Sequence, residues 1–155
     1  MLENCKSARE RWGGVSEIID RWLQSRQILL VSYYHLSEKK EFNDGDSETE
    51  NGVRHLCQLL VDYVSAGHFE VYEQLILEGQ AFDDKQGLQK ARELYRDIDV
   101  TTDVAVDFND KYQETDDLSS LNPDLSQLGE ALETRFSSED RMIALLHTAH
   151  KNQLV

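Results

Sequence analysis

Apolar residues recur at three- and four-residue steps along most of the chain, which is the spacing of one face of an α-helix. The first stripe consists of Val15, Ile18, Ile19, Trp22, Leu29, Tyr33 and Leu36. Arg26 falls inside that stripe. The pattern predicts one long helix. We predict a separate short helix over about residues 3–12, because the pair Gly13-Gly14 has low helix propensity.

The second stripe follows an acidic stretch, residues 38–52, that has no periodicity and is predicted to be a loop. The stripe consists of Val53, Leu56, Cys57, Leu60 and Val64, and it resumes as Phe69, Tyr72, Leu75 and Ile76 before Gly79. Gly67 lies between its two parts. Glycine costs about 1 kcal/mol relative to alanine inside a helix. We therefore expect the helix to end or kink at Gly67 and to restart at His68.

A third, shorter helical pattern covers residues 84–97. Residues 98–117 are rich in β-branched side chains, which lowers their helix propensity. Their apolar positions nevertheless keep helical spacing, and these are Thr101, Ala105, Phe108 and Tyr112. We predict a helix there as well.

The last stripe consists of Leu125, Leu128, Leu132, Phe136, Ile143 and Leu146. We predict Asn122 as the N-cap of its helix and Pro123 as the first helical residue. Glu139 stands on the stripe where an apolar residue is expected, and His147 and His150 follow in the predicted last turn.

These patterns predict an all-α fold, an up-and-down helical bundle of four long helices with short additional helices. A chain of 155 residues lies within the size of one domain, so we expect a single domain over residues 1–155.

The net charge of −14 excludes whole classes of partner. Nucleic acid and anionic membranes are bound through Lys and Arg, so neither is expected as a direct partner. An acidic chain favours a basic protein instead. Two dispersed cysteines, Cys5 and Cys57, and the lack of an apolar signal segment predict a cytoplasmic protein with reduced thiols.

Several polar residues interrupt the apolar stripes and suggest a buried network across the bundle. Arg26, Arg135 and Glu139 lie on the stripes themselves, and Asp20 and Arg21 lie beside the first one. The stretch around Gly67 adds Asp62, Ser65 and His68. Buried charges are tolerated only when they are paired and hydrogen-bonded. The alternative is a helix kink that is stabilised by Asp62, Ser65 and His68 alone.

The sequence contains no recognisable catalytic or metal-binding motif. Glu-x-x-His, the signature of carboxylate-bridged iron bundles, is missing, and His147-x-x-His150 has no acid in register. No serine or cysteine occupies a nucleophile elbow, and there is no glycine-rich phosphate loop. We therefore expect no enzymatic activity, no metal and no cofactor.

Four stretches resemble the Rsd/AlgQ family of bacterial anti-sigma factors. They are RWGGVSEIIDRWLQ (11–24), LVDYVSAGHFEVYEQL (60–75), GEALETRFSSED (129–140) and LLHTAH (145–150). The resemblance runs along almost the whole chain. Residues 38–52 and 97–108 depart from the pattern of the family.

The resemblance implies a protein that binds the C-terminal domain of the housekeeping sigma factor, which reads the −35 promoter element. Family members block the contacts of that domain with DNA and with core RNA polymerase, which favours alternative sigma factors. The AlgQ branch is also associated with alginate and virulence genes. The positions that match the family's central polar residues are Asp62, Ser65, His68, Tyr72, Arg135 and Glu139.

We expect sigma to contact the exposed parts of the first long helix and of the helix around residue 68. The residues concerned are Asp20, Trp22, Arg26, Asp62, Phe69 and Tyr72. For Trp22, Phe69 and Tyr72, ordinary core packing is the alternative. We expect a monomer that binds one sigma factor. Two other functions stay open, an acidic helical adaptor for another basic partner and a metal- or small-ligand-binding bundle.

Overall fold

A computed structural model of the protein describes residues 7–39 and 46–154. Its elements in chain order are α1 (Ala8–Ser37), α2 (Ser47–Ala66), a π-helix (Gly67–Val71), α3 (Tyr72–Ala81), α4 (Lys85–Tyr112), α5 (Leu121–Leu146) and a 3-10 helix (Thr148–Gln153). No strand occurs in the described ranges, which confirms the all-α prediction. Within those ranges no helix is both long and apolar enough to cross a membrane.

The first helix is longer than the sequence pattern predicts. Gly13 and Gly14 both lie inside α1, so a separate helix before them is wrong for residues 8–12; residues 3–6 lie outside the described part. Tertiary contacts hold the helix on both sides of the glycine pair. The Trp12 indole N–H donates to the carbonyl of His147 at 2.9 Å, and Val15 is buried. Such contacts outweigh the low helix propensity of glycine.

The predicted acidic loop is shorter than expected, because α2 already begins at Ser47. The Asp46 carboxylate caps the helix and accepts from the backbone N–H groups of Glu48 and Thr49. Glu48 and Glu50 lie in the first turn, where negative charge stabilises a helix N-terminus. Residues 40–45 of the predicted loop lie outside the described part.

Gly67 does not end the second helix, so the expected end there and restart at His68 are wrong. The backbone continues through the π-helix into α3, and Gly67 keeps right-handed helical angles, φ −58° and ψ −54°. A π-helix accommodates an extra residue within a continuing helix, and it is one of the features at which helices kink. Therefore α2, the π-helix and α3 form one continuous rod.

Two further boundaries differ from the predictions. Residues 84–97 and 98–112 form the single helix α4. Helix α5 begins at Leu121, with Ser120 rather than Asn122 as its N-cap. Pro123 is tolerated in the first turn because the N–H groups there have no partner within the helix. The helix ends at Leu146, so His147 and His150 lie beyond it rather than in its last turn.

Four rods therefore make up the bundle: α1, α2–α3, α4 and α5. Helix α2 packs between α1 and α4, and α4 packs against α5. Helix α1 runs antiparallel to α5, because Trp12, Arg26 and Tyr33 contact His147, Glu139 and Leu125 respectively. The apolar core lies between the rods and includes Leu29, Leu56, Leu60, Ile98, Leu128 and Leu132.

Candidate functional site: a buried polar network and the surface above it

Glu139 lies at the centre of a polar network inside the apolar core. Its carboxylate accepts from the hydroxyl of Tyr63 at 2.5 Å and from the hydroxyl of Tyr72. The guanidinium groups of Arg26 and Arg135 lie 3.3 and 3.2 Å from the same carboxylate. Four groups from three rods thus converge on one buried acid: Arg26 reaches Glu139 from α1, whereas Arg135 pairs with it within α5, four residues away.

Arg135 extends the network from α5 to α4. The side chain is completely buried. One terminal nitrogen donates to the hydroxyls of Thr101 and Thr102 at 3.1 and 2.9 Å, and the other donates to the Tyr72 hydroxyl at 3.1 Å. Five donors in a rigid fork allow one arginine to reach several acceptors at once. Arg135 therefore ties α3, α4 and α5 together.

His68 connects the network to the surface at the π-helix. One ring nitrogen, Nε2, lies 3.2 Å from Thr102 Oγ1, and the other, Nδ1, lies 3.1 Å from the Tyr95 hydroxyl. The Thr102 hydroxyl donates its proton to the carbonyl of Ile98, so its oxygen accepts the hydrogen bond from Nε2. Burial and the nearby Arg135 charge lower the pKa of His68. A neutral ring that donates through Nε2 fits these contacts.

Arg26 carries the network to the surface on the other side. Its guanidinium donates to the Tyr63 hydroxyl at 3.0 Å and to the Asp140 carboxylate at 2.6 Å. The group also lies 4.6 Å from the ring centre of Phe136, a distance typical of a cation–π contact. Burial opposes the charged form, but Tyr63, Asp140 and Glu139 raise the pKa of Arg26.

Burial shifts the pKa values of the remaining members of the network, Tyr63, Tyr72 and Glu139. It raises the pKa of the Tyr63 and Tyr72 phenols, so both stay protonated and act as donors to Glu139. Burial also raises the pKa of the Glu139 carboxyl, and its charged and phenolic neighbours oppose that shift.

The π-helix brings Tyr72 and Trp22 close to the backbone. A Cβ atom at Gly67 would lie 3.1 Å from both the Trp22 ring and the Tyr72 hydroxyl. Trp22 stacks on Tyr63 with ring centres 4.8 Å apart, and its indole N–H donates to the Tyr63 carbonyl at 3.1 Å. The glycine therefore leaves the space in which two aromatic side chains approach the network.

The six predicted sigma contacts divide into two groups by burial. Asp20, Asp62 and Phe69 are exposed, and Arg26 is partly exposed. Trp22 and Tyr72 are each only 3% exposed and pack in the core, so they support the surface from below. The Asp62 carboxylate accepts from Gln58 at 3.0 Å and stays outside the network.

Sequence reasoning identified part of the network and missed the rest. Arg135, Glu139 and His68 lie in it, whereas Ser65 is half-buried and makes no hydrogen bond to it among the described residues. Arg21 is exposed and, like Asp20, is not part of it. The missed members are Tyr63, Thr101, Thr102 and Asp140. A hydroxyl on an apolar stripe gives no sequence signal, since Tyr and Thr are common in cores.

A second polar cluster fastens the C-terminal residues to the bundle. His147 Nδ1 lies 2.8 Å from Glu78, and His150 Nε2 lies 2.8 Å from Asp84. The hydrogen bond from the Gly87 N–H, followed by the contact with His150, lowers the pKa of the Asp84 carboxyl. Each histidine thus has an acid partner from another element, although none lies in register on its own helix. Within the described ranges, no three His, Cys, Asp or Glu side chains are grouped as metal ligands.

Comparison with known proteins agrees with the resemblance. The sequence profile of the family Rsd/AlgQ, "Regulator of RNA polymerase sigma(70) subunit", matches residues 1–147. The protein named Regulator of sigma D from Enterobacter sp. (strain 638) is 38% identical over 150 residues, covering 94% of this chain and 89% of that protein. The protein of the same name from Salmonella paratyphi B is 36% identical over 156 residues, covering 96% and 93%. That from Escherichia coli O139:H28 is 36% identical over 153 residues, covering 94% of each. The chain belongs to the Rsd/AlgQ family of regulators of the RNA polymerase sigma(70) subunit.

Proposed function

We propose that this chain acts as an anti-sigma factor by binding the C-terminal domain of the housekeeping sigma factor. One monomer binds one sigma factor and blocks its contacts with the −35 promoter element and with core RNA polymerase. The family description and the names of the relatives support an action on sigma. Binding through the C-terminal domain of sigma, and binding of one monomer to one sigma factor, go beyond those names and belong to the proposal.

The observation that carries the proposal is the exposure of Phe69. This side chain is 81% exposed, more than any other exposed large apolar side chain in the described residues. It lies on the π-helix, beside His68 and above the polar network. Exposed aromatic side chains act as anchors in protein interfaces more often than other residues do. Phe69 therefore has no role in the core and is free to enter a pocket on a partner.

Exposed acidic side chains lie on the same rod as this anchor and on the neighbouring α1. Asp62, Ser65 and Phe69 are spaced by three and four residues, so they lie on roughly the same face of the α2–α3 rod. Asp20 is exposed on the neighbouring α1. A helix-turn-helix domain presents Lys and Arg toward DNA phosphates. Acids beside an apolar anchor match such a basic surface and compete with DNA for it.

Trp22, Tyr72 and Arg26 support this surface from below. The two aromatic rings pack edge to face with centres 5.9 Å apart. Arg26 joins α1 to α5 through Asp140 and Glu139. A rigid support lowers the entropy cost of binding, because fewer side chains are ordered on contact.

Phe69→Ala tests the proposal directly. Truncation of a central anchor costs at least about 2 kcal/mol, so the affinity for the isolated sigma domain should fall about 30-fold. Because Phe69 is so exposed, the free energy of unfolding should change by less than about 0.5 kcal/mol. Isothermal titration calorimetry measures the first quantity and urea unfolding the second.

Val100→Ala is the matched control. Val100 is 69% exposed and lies on the side of α4 that faces α5, where it lines a surface depression with Glu130 and Ala131. Its truncation should leave sigma binding unchanged. Equal affinities of the Phe69 variant and the unmodified protein would contradict the proposed surface.

A further inference from the structure

We propose that the outer groove between α4 and α5 is a second docking surface, which binds a basic amphipathic helix presented by another protein. This surface is separate from the proposed sigma surface, which lies on α1 and the α2–α3 rod. The proposal therefore does not depend on the proposed function.

The groove has the length of a short helix. Two adjoining depressions of about 330 and 110 Å³ share Val104 and Gln127 as lining residues. Together they extend along α4 from Asp97 to Lys111. At a rise of 1.5 Å per residue, this stretch corresponds to about 21 Å, or about four turns of helix.

The floor of the larger depression is apolar, and part of it faces solvent. Val100 and Val104 are four residues apart, so they lie along one face of α4, and the buried ring of Phe108 continues that face into the core. Val100 is 69% exposed. Ala131 lines the facing side on α5. A row of small and β-branched side chains leaves room for the larger apolar side chains of a helix laid into the groove.

The rim of the groove is acidic. Asp97 and Asp107 line the groove from α4, and Asp103 is exposed on the same helix between them. Glu130 lines the groove from α5. Lys111 is the one base in the sequence 97–111, and its ammonium lies 2.7 Å from Asp124, which neutralises it. The potential along the groove is therefore negative.

These features select one kind of occupant. Helix-in-groove recognition uses apolar side chains at three- and four-residue steps, and Lys or Arg on the flanks would match the acidic rim. A second copy of this chain carries a charge of −14 and is repelled by the same rim. Nucleic acid is repelled for the same reason. The α4 wall of the groove falls largely in the segment 97–108 that departs from the family pattern, whereas its α5 wall includes Glu130 and Ala131 from the family-like stretch 129–140.

The test is a titration of the ¹⁵N-labelled full chain with a synthetic peptide of about 14 residues. The peptide has Leu at helical i, i+3, i+4 and i+7 spacing and Lys or Arg elsewhere. A scrambled peptide of the same composition has no apolar face. We expect NMR shift changes in residues 97–111 and 127–134, and at least tenfold weaker binding of the scrambled peptide, about 1.4 kcal/mol.

Val100→Lys should weaken peptide binding at least about tenfold, because it places a cation on the floor of the groove. Val106→Lys adds the same charge to another face of α4, where Val106 is 47% exposed, and should have a much smaller effect. Phe69→Ala should leave peptide binding unchanged.

Four results of the peptide titrations would overturn the proposal. They are an absence of binding, shifts confined to α1 and α2, equal binding of the scrambled peptide, or equal losses in both lysine variants. Either of the last two results would mean that the peptide binds through nonspecific charge attraction alone. A fifth result would come from sedimentation. If the unmodified protein sediments as a dimer and the Val100→Lys variant as a monomer, a second copy covers the groove and the proposal is wrong.

Discussion

At the scale of single residues, the central feature is one carboxylate held by three hydrogen-bond donors and a further ion pair. Glu139 is buried and carries a charge that the apolar core does not tolerate alone. Tyr63, Tyr72, Arg26 and Arg135 supply the partners. Such a network adds little stability compared with a well-packed apolar core, but removing one member leaves the others buried without a partner.

We therefore expect strong coupling between Arg135 and Glu139. Arg135→Met and Glu139→Gln should each lower the free energy of unfolding by about 3–5 kcal/mol, because each leaves a buried group uncompensated. The double variant should lose at least about 1 kcal/mol less than the sum of the two. Urea unfolding of the four proteins gives the coupling energy.

The exposed pair Lys111–Asp124 provides the control cycle. Its side chains are 50% and 25% exposed at a distance of 2.7 Å. Solvent screening should limit its coupling energy to less than about 1 kcal/mol. Simple additivity at Arg135 and Glu139 would mean that the two side chains do not act as a network.

The buried phenols predict a loss of stability at alkaline pH. Burial raises the pKa of Tyr63 and Tyr72, so the folded protein keeps both protons at a pH where the unfolded chain, with a phenol pKa of about 10, has lost them. The contribution of these two phenols to the free energy of unfolding should be constant below pH of about 9 and should fall above pH of about 10. Each buried phenol contributes a slope of about 1.4 kcal/mol per pH unit, so the two together contribute about 3.

Tyr63→Phe should remove one of the two contributions. The slope above pH of about 10 should then decrease by about 1.4 kcal/mol per pH unit, although the variant is less stable at neutral pH. Urea unfolding between pH values of about 8 and 12 measures both slopes. An unchanged slope would show that the Tyr63 phenol ionises normally in the folded protein.

At the scale of elements, the π-helix decides how the second rod meets the network. The extra residue of a π-helix lets the helix continue past Gly67 while Phe69 is exposed and Tyr72 is buried. Insertions of this kind are found mostly at functional sites. The Ser-Ala-Gly-His stretch, 65–68, thus marks a change of helix type and not a helix end.

Substitution by alanine should change the free energy of unfolding in opposite directions at Gly13 in α1 and at Gly67 in the π-helix. Gly13→Ala places a methyl group in open space and should raise the free energy of unfolding by about 0.5–1 kcal/mol through helix propensity. Gly67→Ala gains the same propensity, but its methyl group would lie 3.1 Å from the Trp22 ring and the Tyr72 hydroxyl. Both neighbours are buried and hydrogen-bonded, so overpacking should cost about 1–3 kcal/mol.

The net effect of Gly67→Ala should therefore be destabilising, or near zero at most. Thermal and urea unfolding of the two variants make the comparison. Equal stabilisation by both substitutions would show that Trp22 and Tyr72 can move away from the π-helix at little cost.

The helices themselves were largely predictable, and their ends were not. Periodicity identifies the four rods because each buries one face, as the stripes ending at Leu36 and Leu146 show. Helix ends depend on tertiary contacts that the local sequence does not contain. Trp12 carries α1 through Gly13-Gly14 by bonding to His147, which lies 135 residues away in sequence.

The members of the polar network were predictable only where a charged residue interrupts an apolar stripe. Arg135 and Glu139 stand out because they are charged and four residues apart on an apolar stripe. Tyr63 gives no such signal, since a tyrosine on that stripe fits ordinary packing. Whether Trp22 and Tyr72 are exposed or buried also depends on the rotation of whole helices, which periodicity does not determine to that precision.

At the scale of the whole molecule, charge and shape divide the protein into two faces. The α1 and α2–α3 face carries Phe69 with Asp20 and Asp62, and the α4–α5 face carries the acidic groove. The polar network joins all four rods between them through Arg26, Tyr63, Tyr72, Thr101 and Arg135. A net charge of −14 draws basic partners to either face.

The measurement that tests the central claim most directly is the affinity of the full chain for the isolated C-terminal domain of its host's housekeeping sigma factor, titrated across salt. We predict one-to-one binding that weakens at least about tenfold between about 0.1 and 0.5 M salt, because acidic and basic surfaces meet in the complex. Promoter DNA bearing a −35 element should compete for the same domain. An absence of binding even at low salt, or binding that DNA leaves unaffected, would contradict the account.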